Sequence, residues 1–281
     1  MTAAPRPLGL IAGNGRFPFL FAAAARSRGV PVAAVAIHEE TDPALEKLVD
    51  RAAWFHVGQL SAMIDFLKSA GCTEAVMAGQ IRLRLLYHDF SELAADPLAT
   101  ELLARIADRR GDSLLAAVAD VLEAHGIRLR ESTLYLEDSL ARPGRVAGRA
   151  PTPEEEEDIA FGWKIAKQVA ALAIGQTVVV KDRAVIAVEG MEGTDACVRR
   201  AGELGRGGVV VVKVSRPDQD LRFDIPVIGA TTLRALADAK AAAMAVEAGK
   251  TLVLDPEEIQ KIAEEAGIAV VAREGGADTN A

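Results

Sequence analysis

Near the start of the chain, residues 8–37 read "LGLIAGNGRFPFLFAAAARSRGVPVAAVAI" and indicate its fold class. Its first apolar run predicts a short buried strand, and the Phe- and Ala-rich run that follows predicts a helix ended by Gly29. The run 31–37 predicts a second strand. Because a strand, a helix and a strand in this order form a crossover between parallel strands, these residues indicate an α/β fold.

The same alternation continues downstream. Asp42 and Pro43 are a cap and a first helical residue, so they predict a helix at 41–50. Further strands are predicted at 52–58 and 74–79, and further helices at 59–71, 97–110 and 112–125. We therefore expect a Rossmann-like N-terminal domain over residues 1–136, built on a parallel sheet.

A change of composition marks the second half of the chain. The stretch "EDSLARPGRVAGRAPT" (137–152) is rich in Gly, Pro and Arg and has no apolar period, which predicts a linker. Thr152 and Glu155 then form a capping-box pattern around Pro153. Residues 175–189 indicate a hairpin, so we expect residues 153–281 to form a C-terminal catalytic α/β domain with a mixed sheet.

Composition narrows the functional classes. The chain has 281 residues, with 32 basic and 40 acidic side chains and a net charge of −8, which argues against a nucleic-acid partner. Its 2 cysteines lie far apart in the sequence, as is usual in a reduced, cytoplasmic protein. No run approaches the roughly 18 apolar residues of a membrane span. We therefore expect a cytoplasmic enzyme or binding protein.

Glycines mark the ends of two predicted strands in the first half. Gly13, Asn14 and Gly15 follow the first strand and precede a helix, where backbone N–H groups can approach a phosphate. A glycine turn without a ligand is the alternative. A dinucleotide site is less well supported, because Pro18 stands where the fingerprint needs a third glycine.

Other polar residues fall at the same predicted sheet edge. Gly79 and Gln80 end the strand 74–79, His38 and His56 follow two other strands, and "IHEE" at 37–40 offers acidic residues for a ribose. Ligands bind at the carboxyl ends of strands in open α/β sheets. Each histidine alone is more simply explained as an ordinary surface or core residue.

The second half carries a group of charged residues around "VEGMEGTDA" (188–196). Glu189 ends a predicted strand, and Glu192 precedes Gly193, Thr194 and Asp195 at a predicted helix start. A helix cap explains Thr194 or Asp195 without any function. Lys213 ends the run "VVVVK", where a solvated lysine is the alternative to a catalytic one.

The stretch "QDLRFDIPVIG" (219–229) alternates charged and apolar residues. At strand spacing Arg222 and Asp224 share one face, which predicts either a salt bridge between them or a functional pair. In the functional alternative Asp224 binds a divalent cation or orients water, and Arg222 holds a phosphate. Carboxylate, arginine and Mg²⁺ together neutralise a pyrophosphate during hydrolysis.

Three of these stretches, in this order and spacing, resemble the UDP-2,3-diacylglucosamine pyrophosphatases of the LpxI type. They are "GLIAGNGRFP" (9–18), "GQTVVVKDRAVIAVEGMEGTDA" (175–196) and "DLRFDIPVIG" (220–229), and the resemblance extends over about residues 8–272. It implies hydrolysis of UDP-2,3-diacylglucosamine to UMP and 2,3-diacylglucosamine 1-phosphate (lipid X) in lipid A biosynthesis. It further implies Mg²⁺ as cofactor, attack on the β-phosphorus, and two α/β domains holding the lipid product between them.

The resemblance also assigns roles to residues. The aspartate of the "RFD" motif falls on Asp224 and is expected to be essential for turnover. With the residues above, this gives the following expected sites: catalytic Asp224, Arg222 and Lys213; metal-binding Asp224 and Glu192; substrate-binding Gly13, Asn14, Gly15, Gly79, Gln80, Glu189, Gly193, Thr194 and Asp195.

Expectations about partners follow from the substrate. A diacylated substrate implies peripheral contact with the inner membrane and an apolar cleft, for which Leu83, Leu85 and Leu86 are candidates. A homodimer is also expected. Two alternatives stay open: a non-catalytic protein that binds a sugar nucleotide or lipid, and a dinucleotide-binding enzyme.

Overall fold

The computed structural model describes residues 5–81, 96–106 and 111–275. The chain divides into two compact units. Unit 1 comprises Met1–Glu137 together with Asp220–Asp224, and unit 2 comprises Asp138–Gln219 and Ile225–Ala281. The short segment Asp220–Asp224 thus belongs to unit 1, although the sequence predicts that all of 153–281 forms one C-terminal domain.

Unit 1 is built on a parallel sheet of five strands. They are β1 (Leu8–Ala12), β2 (Val32–Ile37), β3 (Arg51–Phe55), β4 (Glu74–Ala78) and β5 (Arg128–Leu129). Their order is β3-β2-β1-β4-β5, and every neighbouring pair is parallel. In this order β1 and β4 are neighbours at the point where the strand order reverses, which is where doubly wound sheets bind their ligands.

Helices connect these strands. They are α1 (Phe17–Ser27), α2 (Leu60–Ser69), α3 (Pro97–Arg105) and α4 (Gly111–Ala124). Asp96 caps α3 by accepting a hydrogen bond from the Ala99 amide. The helix predicted at 41–50 is instead a 3₁₀ helix, Pro43–Leu48, although Asp42 caps it as expected. Residues 107–110 of the helix predicted at 97–110 lie outside the described residues.

Unit 2 is built on a mixed sheet of six strands. They are β6 (Gly144–Gly148), β7 (Thr177–Lys181), β8 (Ala184–Val188), β9 (Val210–Lys213), β11 (Ala243–Glu247) and β13 (Ala269–Arg273). Two short strands, β10 (Val227–Ile228) and β12 (Leu252–Val253), form a separate two-stranded sheet. The order is β6-β13-β11-β9-β7-β8. The central strands β13, β11 and β9 are parallel, whereas β6, β7 and β8 run antiparallel to their neighbours.

The helices of unit 2 are α5 (Pro153–Ala171), α6 (Thr194–Gly205), α7 (Ala230–Asp238) and α8 (Pro256–Ala266). The predicted capping box is present, with Thr152 and Glu155 each bonding the other's backbone N–H. Apolar clusters cover the sheet on both faces. Two α/β domains, one parallel and one mixed, are thus confirmed. No helix in the described part of the chain is long and apolar enough to cross a membrane.

The stretch 137–152 differs from the predicted linker, because it contains β6. This strand pairs antiparallel with β13 at the edge of the unit 2 sheet. The strand is exposed at Gly144 and Arg145 and buried only at Ala147 and Gly148, so its sequence has no apolar period. The Gly- and Arg-rich composition therefore predicted a linker where the structure has a strand.

Candidate functional site

Two glycine turns meet at the carboxyl ends of β1 and β4 in unit 1. The Gly13 amide donates to the Ala78 carbonyl (2.8 Å) and the Asn14 amide donates to the Gln80 carbonyl (2.8 Å). Asn14 and Gln80 form an isolated antiparallel bridge. The structure therefore brings together two stretches that the sequence could only assign to the same edge.

Glycine is required at three positions of these turns, by close backbone contact at two of them and by backbone conformation at the third. A Cβ on Gly13 would lie 2.6 Å from the Gln80 carbonyl oxygen, and one on Gly79 would lie 2.5 Å from the Asn14 carbonyl oxygen. Gly15 has a φ of +85°, and a Cβ placed on it would meet no atom of the described residues within 4 Å. Gly13 and Gly79 allow the turns to touch, whereas Gly15 provides the left-handed backbone of the turn.

The end of β2 is tied to this turn. The Asn14 side-chain amide donates to the Glu40 carboxylate (2.6 Å), and Glu40 is buried. The hydroxyl of the neighbouring Thr41 donates to the Ala12 carbonyl (2.6 Å). Of the two acidic residues that the sequence leaves open, Glu40 is thus the one joined to the glycine turn.

The stretch around Asp224 is not the strand that its alternation predicts. Leu221–Phe223 form a turn, and the Asp224 amide donates to the Asp220 carbonyl (2.9 Å). The Asp220 side chain accepts the Arg222 amide (3.0 Å), which is an Asx turn. This local bond competes with strand pairing, so the prediction that Arg222 and Asp224 share a strand face is wrong.

Arg222 forms its ion pair with Asp220. Its Nη2 lies 2.7 Å from Oδ2 and its Nε lies 3.0 Å from Oδ1 of the carboxylate. The hydrogen bond from Arg222 lowers the pKa of Asp220 below its ordinary value. The sequence offered an Arg222–Asp224 bridge as the structural alternative, and the partner is instead two residues before the arginine.

The Asp220–Asp224 segment is anchored within unit 1. The Ser132 amide donates to the Leu221 carbonyl (2.8 Å), and the Ser132 hydroxyl lies within 2.8 Å of the Met77 and Arg222 carbonyl oxygens, to either of which it can donate. Phe223 packs against the apolar core of the unit. Since Met77 is on β4, the segment lies beside the strand that Gly79 follows.

Sequence reasoning missed Ser132 and Asp220. No local pattern reveals Ser132, because its acceptors are 55 and 90 residues away along the chain. The Asp-x-Arg spacing of Asp220 and Arg222 was a usable signal for an Asx turn. The apolar candidates Leu83, Leu85 and Leu86 lie outside the described residues.

Unit 2 has a separate polar network where α6 begins. The Lys213 ammonium donates to the Thr194 hydroxyl (2.8 Å), which in turn donates to the Glu189 carboxylate (2.9 Å). Thr177 lies 3.4 Å from the same hydroxyl. Thr194 is therefore not a helix cap; Gly193, with a φ of +83°, occupies the cap position. The structure brings Glu189, Thr194 and Lys213 together as one group.

Glu192 stands apart from this network. Its Oε1 pairs with Arg200 (2.6 Å) and its Oε2 accepts the Gly190 amide (2.9 Å). Its own backbone N–H, followed by Arg200, lowers the pKa of this carboxyl. Asp195 is half-buried in the first turn of α6, and no hydrogen bond joins its side chain to another described residue. Each oxygen of Glu192 thus has one hydrogen-bond partner, and its role as a metal ligand stays a prediction.

Potential metal ligands are scattered through residues 5–81, 96–106 and 111–275. No three His, Cys, Asp or Glu side chains in these ranges are grouped so that they could hold a metal ion. Mg²⁺ commonly needs only one or two carboxylates when substrate phosphates complete its coordination.

Comparison with known proteins gives matches along both units. The model of the LpxI N-terminal domain matches residues 7–139, and that of the LpxI C-terminal domain matches residues 142–271. The UDP-2,3-diacylglucosamine pyrophosphatase LpxI of Caulobacter vibrioides is 32% identical over 277 residues, covering 95% of this chain and 97% of the relative.

Solved structures give weaker likenesses. The ADP complex of the N5-carboxyaminoimidazole ribonucleotide synthetase purK is 15% identical with a TM-score of 0.29, over 64% of this chain and 34% of that one. The biotin carboxylase domain of the Hydrogenobacter thermophilus 2-oxoglutarate carboxylase is 12% identical with a TM-score of 0.29, over 72% and 42%. Scores this low support no conclusion about function.

Proposed function

The chain belongs to the LpxI family, and from this premise we propose that it hydrolyses the pyrophosphate of UDP-2,3-diacylglucosamine, releasing UMP and 2,3-diacylglucosamine 1-phosphate in lipid A biosynthesis. The observation that carries the proposal is the match to a relative of that name along 95% of the chain, together with both family domains. Hydrolysis of a phosphoric anhydride requires groups that neutralise its oxygens and a group that orients water.

Arg222 is the cation that we assign to the pyrophosphate in unit 1. Two of its donor nitrogens are fixed by Asp220, which holds the guanidinium plane in one orientation. The N–H groups of Nη1 remain available for a phosphate oxygen. Asp220 therefore positions Arg222 and is not itself the catalytic carboxylate.

Asp224 is the catalytic carboxylate of the proposal. The turn closed by its amide and the Asp220 carbonyl fixes its backbone, and the side chain is half-buried beside β4. From this place the carboxylate would orient the attacking water and accept its proton. The glycine turn at Gly15 offers open backbone on the same sheet edge for a phosphate.

In unit 2 we propose that Lys213 binds an anionic group of the substrate. Thr194 accepts one N–H of the ammonium, so two remain for a phosphate. Glu189 orients the Thr194 hydroxyl and thereby keeps Lys213 at the start of α6, where the helix dipole also favours an anion. Gly193 and Asp195 would contribute backbone N–H groups there.

Mg²⁺ is the cofactor that the chemistry favours, with Asp224 as its protein ligand and substrate phosphates as the others. When bound, the ion supplies charge that neutralises the pyrophosphate oxygens. Glu192 was the other expected ligand, and we propose that it instead stays paired with Arg200 and the Gly190 amide. A cytoplasmic location with peripheral contact to the inner membrane fits a diacylated substrate. The homodimer stays a prediction.

The test is turnover of UDP-2,3-diacylglucosamine in detergent micelles by the purified chain, in H₂¹⁸O, with and without EDTA. We expect UMP and the sugar 1-phosphate, loss of activity in EDTA, recovery with Mg²⁺, and ¹⁸O in the sugar 1-phosphate, as attack on the β-phosphorus requires. Label in UMP would indicate attack on the α-phosphorus. Tight binding without turnover would instead favour a non-catalytic binding protein.

A further inference from the structure

Three aromatic rings form a continuous run at the carboxyl edge of the unit 1 sheet. The ring centroids of His38 and His56 are 4.6 Å apart at an interplanar angle of 30°, and those of His38 and Trp54 are 5.5 Å apart at 35°. These separations are typical of interacting aromatic rings. Both histidines are exposed and Trp54 is half-buried, so the run offers ring surface to solvent.

The core of unit 1 does not explain this run. Phe55 lies between Trp54 and His56 in the sequence and packs against the core. Because side chains alternate along a strand, its two neighbours are directed to the other side. Trp54 is held there by a hydrogen bond from its indole N–H to the Glu46 carboxylate (2.5 Å). The rings are therefore fixed in place but not buried.

The position of the run fits one part of a nucleotide. His38 follows β2 and His56 follows β3, at the same sheet edge as the glycine turn after β1. Glu40, two residues after His38, is the residue bonded to Asn14 of that turn. Neighbouring strands are about 5 Å apart, so His38 after β2 is about 5 Å and His56 after β3 about 10 Å from the turn along the sheet edge, distances that a nucleotide spans from phosphate to base.

A polar group stands beside the rings. The Gln59 side-chain oxygen accepts the His56 amide (2.8 Å), which orients the carboxamide. Its NH₂ group makes no hydrogen bond to another described residue. Such a group can donate to the carbonyl oxygen of a pyrimidine base.

We propose that His38 and His56, backed by Trp54, form a stacking platform for the nucleobase, with the nucleotide phosphate at the Gly15 turn. The identity of the base as uracil rests on the proposed function, whereas the platform rests on the ring geometry. Base stacking on aromatic side chains is sequence-tolerant and is typically weakened about tenfold or more when one ring is removed.

The test measures binding of UMP to the full chain through Trp54 fluorescence. The chain has 2 tryptophans, and Trp163→Phe removes the other, which is buried in unit 2. We expect UMP to change the Trp54 signal and ribose 5-phosphate, which lacks the base, to leave it unchanged. His56→Ala and His38→Ala should each weaken UMP binding roughly tenfold. His125→Ala changes the residue directly after α4 and is the matched control, so UMP affinity should not change.

Hydrolysis of UDP-2,3-diacylglucosamine is measured in parallel, so that a failure of the stacking platform can be distinguished from a failure of the proposed function. Unchanged UMP affinity and unchanged KM in both histidine variants of an active enzyme would overturn the platform and leave the proposed function standing. UMP binding that depends on the histidines in a chain without turnover would support the platform and refute the proposed function. Failure of UMP to bind the active enzyme at millimolar concentration would also overturn the platform.

Discussion

Gly13→Ala should destabilise unit 1, because the new Cβ would collide with the backbone of the neighbouring turn. It would lie 2.6 Å from the Gln80 carbonyl oxygen and 2.9 Å from the Gln80 carbonyl carbon. Relieving such an overlap costs about 1–3 kcal/mol. The Gly13–Ala78 and Asn14–Gln80 hydrogen bonds hold the turns together, and losing both costs about 2 kcal/mol more. We expect a total of about 3–5 kcal/mol in the free energy of unfolding.

Two glycines of unit 1 provide matched controls. Gly15 and Gly71 have φ values of +85° and +80°, and in the part of the chain that the structure describes a Cβ on either would meet nothing within 4 Å. Alanine at each should cost about 1–2 kcal/mol of left-handed backbone strain and no collision. Only Gly15 lies at the candidate substrate edge, so Gly15→Ala should also raise KM for UDP-2,3-diacylglucosamine, and Gly71→Ala should not.

The assay is urea unfolding followed by Trp54 fluorescence in the Trp163→Phe background, which reports on unit 1. With a urea m-value of about 2 kcal/mol/M, the midpoint of Gly13→Ala should fall by about 2 M, against less than about 1 M for Gly15→Ala. Equal midpoints for the two variants would refute the conclusion that Gly13 is required for backbone contact. An unchanged KM in Gly15→Ala would contradict the assignment of a substrate phosphate to that turn.

Three further predictions concern buried or paired groups. Burial acts to raise the pKa of Glu247, but hydrogen bonds from Lys167, the Ser215 amide and Lys250 outweigh it and lower the pKa below its ordinary value of 4.5. The contribution of this carboxylate to stability is therefore present above pH 4.5 and is lost as the pH falls through the lowered pKa. Glu247→Gln should therefore lower the free energy of unfolding by about 3 kcal/mol at pH 7 and by progressively less in acid. A loss that does not depend on pH in chemical unfolding would contradict this. Burial raises the pKa of Cys72 and of Cys197 to about 11, so both thiols should react with a disulfide reagent at pH 8 only after unfolding, and rapid labelling of the native chain would count against their burial. Glu192→Gln should leave the Mg²⁺ concentration for half-maximal activity unchanged, and a large increase would reinstate it as a ligand.

Much of the fold follows from signals within a few residues of one another. The Asp42–Pro43 pair and the Thr152–Glu155 box each set the start of a helical element, because a cap acts on the next turn of chain. The valine-rich strands of unit 2 were likewise identifiable from local composition. The edge strand β6 was not, since only its pairing with β13 stabilises it.

The candidate site depends on contacts that no local pattern records. Gly13 must be glycine because of Gln80, and the Asp220–Asp224 segment belongs to unit 1 because of Ser132. Periodicity predicted a strand for that segment, and the Asx turn of Asp220 overrode it. The residue types of the site were identifiable from sequence, but their partners were set by tertiary structure.

In the proposed mechanism Asp224 serves the chemical step, and the kcat of Asp224→Asn measures that contribution. Asp218→Asn, an exposed change a few residues earlier, is the matched control. We expect kcat for UDP-2,3-diacylglucosamine to fall about 100-fold or more, equivalent to about 2.7 kcal/mol in the barrier, with KM and melting temperature nearly unchanged and the control variant fully active. A kcat within a few-fold of the unmodified enzyme in a folded Asp224→Asn would contradict the assignment.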